Sequence, residues 1–123
     1  MAVTATKFDV EEFKRAYEQW DVEAPLDLYA EDVELVQIDR DNPPSSPRVR
    51  HGRDVFRGMF EHCKAAGVTA TVENTVAGPD RAAATVACEF PGGRKLLANT
   101  ILEIQDGRIL VERDVLSGDP KRS

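Results

Sequence analysis

Two runs of branched apolar residues, at 95–104 and 108–116, flank Asp106-Gly107 near the end of the chain. Asp-Gly between such runs predicts a tight β-hairpin. Strand side chains alternate between faces, so Ile109, Val111, Arg113 and Val115 are expected on one side, with Leu110, Glu112, Asp114 and Leu116 on the other. Two earlier strands, 68–77 and 81–90, are separated by Gly78-Pro79-Asp80, and Pro91-Gly92-Gly93 leads into the hairpin. In the first half the period changes. Val10, Phe13, Tyr17 and Trp20 recur at helical spacing with Glu11, Lys14, Arg15 and Glu18 opposite. Thr6 with Asp9, or Asp9 with Glu12, forms a capping box at the start of that helix. Pro25 suits the first turn of a short second helix reaching about residue 30, with Leu26, Leu28 and Tyr29 as its apolar residues. Residues 33–39 read as a strand with Val33, Leu35, Gln37 and Asp39 on one face. Residues 40–47 are too rich in proline and polar side chains for regular structure. Gly52 opens a third helix whose Phe56, Met59, Phe60 and Cys63 share a face, and Gly67 closes it.

The predicted order is helix, helix, strand, helix, then four strands joined by tight turns. Short strand-to-strand turns require antiparallel pairing. The helices must cover one face of the sheet to bury their stripes. The expected fold is therefore α+β: three helices from the N-terminal half over a strongly curved, mostly antiparallel sheet, enclosing a cone-shaped hollow.

Composition narrows the function classes. A chain of 123 residues makes one domain, with 6–118 folded and 119–123 a polar tail. A net charge of -6 disfavours nucleic acid and anionic membrane surfaces as partners. No apolar run approaches signal-peptide or membrane-span length, so a cytoplasmic protein is expected. Cys63 and Cys88 fall on different elements, and there are only two histidines, His51 and His62. Neither a redox pair, a zinc knuckle nor a histidine-rich metal site follows, and no cofactor is expected.

The candidate chemistry lies in Glu112 and Asp114. If helices cover their face, both carboxyls sit among apolar groups, where desolvation raises an acid's pKa and makes a general base or acid. The competing arrangement pairs them with Arg113, Arg108 or Arg94 on an exposed strand end.

Three stretches, FKRAYEQWDVEAPLDLYAEDVEL, HGRDVFRGMF and DGRILVERDV, in this order and spacing, resemble the nuclear transport factor 2-like superfamily. Within it they resemble the SnoaL-like polyketide cyclases and ketosteroid isomerases. The resemblance implies the cone-shaped fold, a hydrophobic pocket and a homodimer. It puts Asp114 where SnoaL-like cyclases carry an acid–base aspartate, and Tyr17 where the isomerases carry an oxyanion-donating tyrosine. Gln37 stands where the isomerases carry a proton-shuttling aspartate, and a carboxamide cannot shuttle a proton. Thr100 stands near positions occupied by a protonated acid or a histidine. The implied pocket is lined by Phe13, Tyr17, Trp20, Leu35, Gln37, Phe56, Met59, Phe60, Cys88, Thr100, Leu102, Glu112, Asp114 and Leu116, with Leu110 beside them.

The expected activity is cofactor-independent acid–base chemistry, an isomerisation or cyclisation, on a small hydrophobic carbonyl compound. Asp114 is the base, Tyr17 and Gln37 are orienting donors, and Glu112 helps keep Asp114 protonated. The alternatives are a non-catalytic binding protein of the same fold, and epoxide hydrolysis through a relay at which Arg113-Asp114 hints. His51 either supports the third helix or shuttles protons at the pocket mouth. On the outer sheet face Leu97, Ile101, Ile109, Val111 and Val115 form an apolar surface that a two-fold homodimer would cover.

Overall fold

In the computed structural model, which describes residues 7–120, Asp106 and Gly107 both take positive φ, 53° and 77°. Two such residues form the turn whose twist matches antiparallel strands. They join β5 (Lys95–Gln105) to β6 (Arg108–Gly118). Ahead of them run α1 (Val10–Gln19), α2 (Ala24–Leu28), β1 (Tyr29–Ile38), β2 (Arg48–His51), α3 (Arg53–Ala65), β3 (Thr69–Ala77) and β4 (Arg81–Glu89). The six strands form one curved sheet in the order β2-β1-β6-β5-β4-β3. Every neighbouring pair is antiparallel except β1 and β6, which run parallel. The α+β class and the helix-covered sheet are as the sequence pattern predicts.

Local chemistry explains the helix ends. The Asp9 side chain accepts from the Glu12 backbone N–H at 3.1 Å, so Asp9 with Glu12 caps α1, while Thr6 lies outside the described residues. Trp20 ends α1 in the left-handed conformation (φ 47°), and its indole Nε1 donates to the Val68 carbonyl at 2.8 Å. Gly67 follows α3 with φ 73°, a conformation open to glycine at little cost. Phe13, Ala16 and Tyr17 of α1 and Phe56 and Phe60 of α3 are buried against Val33, Leu35, Val72, Ala84, Val86 and Leu102 of the sheet.

The structure departs from the sequence pattern in four places. The pattern predicts no strand at 48–51; β2 forms there and pairs with β1, Leu35 opposite Arg50 and Gln37 opposite Arg48. Tyr29, expected in the second helix, opens β1 and is fully buried. The alternation of β6 breaks at a bulge: Ile104 pairs with Ile109 but Glu103 with Val111. The extra residue puts Ile109 in the core with Glu112, on the face assigned to its opposite set, and leaves Leu110 only half-buried. Finally, Asp119 is tied to Lys95 by two hydrogen bonds, N–H to carbonyl at 2.9 Å and Oδ2 from the Lys95 N–H at 3.0 Å. Order therefore extends past residue 118.

Candidate functional site

The bulge turns Glu112 inward, and its carboxyl is wholly inaccessible to water. Each oxygen accepts from a tyrosine: Tyr17 donates to Oε2 at 2.9 Å and Tyr29 to Oε1 at 2.8 Å. The two hydroxyls lie 3.4 Å apart. Aromatic packing fixes them. The Tyr29 ring stacks on Phe56 with centroids 3.9 Å apart, and Tyr17 meets Phe60 edge-on at 4.9 Å. Both tyrosines of the chain converge on this one acid. In the sequence Tyr29 is legible only as an apolar residue, because its position next to Pro25 and Leu28 suggests a helix.

Asp114 lies two positions along the same face, 5% exposed, between Gln37 on β1 and Thr100 on β5. The Thr100 hydroxyl donates to Oδ1 at 3.0 Å. Burial pushes the Asp114 carboxyl up to about 6, against hydrogen bonds from Glu112, Thr100 and Gln37 that favour its ionised form. Glu112 is pushed well above the usual glutamate range, first by burial, then by the Asp114 charge and the hydrogen bond it donates to Asp114. At neutral pH the pair therefore holds one proton, on Glu112, with Asp114 as the carboxylate. Asp114 thus keeps the ionised state a base needs, while the expectation that Glu112 holds Asp114 protonated is reversed. Glu112 keeps the proton because it is deeper, and hydrogen bonds from Glu112, Thr100 and Gln37 favour the Asp114 carboxylate.

Gln37 connects this pair to the sheet edge. Its Oε1 accepts from Arg50 Nη2 at 2.6 Å, which aims its amide N–H groups at Asp114. Neither acid has an arginine partner among the described residues. Arg113 is exposed on the outer face and paired with Glu103, so the sheet separates it from Asp114 and no Arg113–Asp114 relay exists. His51 is also exposed on the outer side, 3.4 Å from Glu34, away from the acids. Asp39 accepts from the backbone N–H groups of Asp41 and Asn42 at 2.9 and 2.8 Å and serves as a turn residue.

The other expected lining residues divide into two sets. Phe13, Trp20, Leu35, Phe56, Phe60 and Leu102 are buried and fill the deep end, where the sequence suggests open space. Met59, Cys88 and Leu116 are partly buried around that core. A hollow of about 790 Å³ opens at the end of the sheet beside Asp39, Leu96 and Leu116. Leu116 is two residues beyond Asp114 on the same strand face, so the acid lies deeper along β6 than this hollow, whose lining is largely polar (Asp39, Arg40, Asp41, Arg94). Burial pushes the Cys88 thiol up to about 11, and it stays protonated at neutral pH. The described residues contain no group of three or more potential metal-ligating side chains, and no helix long and apolar enough to cross a membrane.

The SnoaL-like domain model matches residues 10–112. The chain belongs to the SnoaL-like family. No curated protein matches its sequence. Solved structures with the same fold include a ketosteroid isomerase-like protein from Kribbella flavida, 19% identical, with TM-score 0.71 over 93% of this chain and 78% of that one. An NTF2-like protein of unknown function from Mesorhizobium loti is 20% identical, with TM-score 0.72 over 89% and 88%. IdmH of Streptomyces antibioticus, described as polyketide cyclase-like, is 24% identical, with TM-score 0.62 over 89% and 88%. At these identities the SnoaL-like chain shares their fold, and its chemistry has to be argued from its own site.

Proposed function

We propose that this SnoaL-like protein transfers protons next to a carbonyl group in a small hydrophobic molecule, without a cofactor, as an isomerase or cyclase. The observation that carries this reading is the Asp114 carboxylate, buried beside a protonated Glu112 among apolar core side chains and pushed up to about 6. A base with a pKa near the working pH is ionised yet still strong enough to take a proton. Asp114 removes the α-proton as the enolate forms, then returns it at another carbon, or the enolate attacks a second carbonyl and closes a ring. Glu112, held by Tyr17 and Tyr29, donates to Asp114 and positions it. Gln37 does the same from the other side. Of the expected lining residues, Leu116 borders the hollow at the end of the sheet and would meet the ligand first. The test is α-hydrogen exchange into deuterated water across aromatic polyketide, terpenoid and steroid ketones. Enzyme-dependent exchange in any of these supports the reading. Ligands that raise the melting temperature without exchange would leave a binding protein of the same fold instead.

The same reading includes a two-fold dimer through the outer sheet face. Leu97, Ile101 and Val115 there are 43%, 53% and 51% exposed, although Ile109 is absent from this face. A second copy is the occupant that would cover them, with Arg113 directly opposite Ile101 inside the patch and its partner Glu103, paired also with Arg81, at the border. Light scattering should give a dimer for the parent chain and a monomer for Ile101→Asp. A monomeric parent chain would contradict this assembly.

A further inference from the structure

The hydrogen-bond donors around the acid pair are already engaged. Tyr17 and Tyr29 serve Glu112, and Thr100 and the Gln37 amide serve Asp114. An enolate oxygen forming beside Asp114 in a water-poor site needs a donor aimed at it before the reaction begins. Arg50 is the group with one to spare. It faces the concave side of the sheet opposite Leu35, and Nη2 reaches Gln37 at 2.6 Å. Its Nε is the buried side-chain polar atom that lacks any hydrogen-bond partner among the described residues. Native proteins leave few buried donors unmet, and such exceptions call for a reason. Nor does any carboxylate neutralise this guanidinium: among the described residues Arg50 forms no ion pair. Arg48 lies two positions away on the same concave face, so an acidic chain places two arginines side by side at this edge.

We propose that Arg50 is the electrophile of the site, its free Nε–H taking the substrate oxygen on which negative charge develops while Asp114 takes the α-proton. This rests on the proton-transfer reading above and adds the group that reading lacks. The Gln37 carboxamide then acts as a spacer. One end holds the base and the other holds the guanidinium, which sets their separation. The C–H bond electrons move into the enolate, the proton goes to Asp114, and the oxygen charge is met by an arginine that remains cationic throughout. The substrate class follows as carbonyl compounds whose enolate oxygen can lie at the β1–β2 edge.

A phenol that is coloured when ionised imitates such an oxyanion. The experiment titrates 4-nitrophenol into the parent protein, Arg50→Lys and Arg50→Met, reading the visible absorbance of the bound phenolate, with thermal melts as a check on folding. The parent protein should bind the phenolate in preference to the neutral phenol. Arg50→Met should lose about tenfold or more of that affinity, since a charge-assisted hydrogen bond disappears. Arg50→Lys, which keeps the charge but not the Nε–H, should also weaken it. If Arg50→Met does not fold, Arg50→Lys decides. Unchanged phenolate affinity in Arg50→Lys, or no ionisation of 4-nitrophenol by the parent protein, would overturn the proposal. Asp114→Asn removes a like charge and should tighten phenolate binding, so this readout does not depend on the base. If exchange survives Asp114→Asn while phenolate binding needs Arg50, the base assignment fails and the Arg50 assignment stands.

Discussion

Asp114→Asn should lower α-hydrogen exchange by about 10²–10⁴-fold, the range a positioned general base contributes, while ligand affinity holds or improves. Asparagine matches aspartate in size, and its carbonyl oxygen can still accept from Thr100, which now donates at 3.0 Å. What it cannot do is take a proton. Because the effect falls on a step rather than on binding, the loss should appear in kcat with KM little changed. Glu112→Gln should behave differently. Its carboxamide can still accept from a tyrosine and donate to Asp114, so the geometry now made by Tyr17 at 2.9 Å and Tyr29 at 2.8 Å survives in large part. Exchange should fall less than in Asp114→Asn. Equal losses in both variants would mean that the pair acts as one unit.

The second large effect concerns stability against pH. Asp114 titrates at about 6 in the folded chain against an ordinary 3.8, so between those values the folded state binds more protons than the unfolded one. Its contribution is therefore fully present below pH ~4 and declines as pH rises through the window to about 6. At about 1.4 kcal/mol per unit the decline amounts to about 3 kcal/mol. Glu112 is raised further and extends the same trend to higher pH. Glu12, Asp21, Asp39 and Glu103 have the opposite sign: their hydrogen bonds or arginine partners lower their pKa, so their support disappears as pH falls. Maximum stability should thus lie near pH 4–5, below the usual neutral optimum. Urea unfolding at about pH 4.5 and about pH 7 reads the difference directly, and Asp114→Asn should flatten much of it.

The layer arrangement is legible in the sequence, because long stripes such as Phe56, Met59, Phe60 and Cys63 permit only one period, and Asp106-Gly107 permits few turns. Residues tied to bulges and edges are not legible there. β2 has four residues, three of them basic, directly after a proline-rich run, so neither length nor apolar content marks it. With it goes Arg50, the partner of Gln37. The register of β6 depends on a bulge next to Leu110, and strict alternation carries Ile109 to the wrong face. Glu112 and Asp114 lie beyond that bulge and read correctly as a same-face pair. Which of them holds the proton depends on depth and on counting donors, and only three-dimensional contacts supply that.

A single proton, and the carboxyl on which it resides, decides whether Asp114 can act as the base. Carbon-13 NMR of the side-chain carboxyls, followed through a pH titration, should show Asp114 ionising at about 6 and Glu112 still protonated at neutral pH. Asp114 ionising near the ordinary aspartate value, with Glu112 charged at neutral pH, would contradict it.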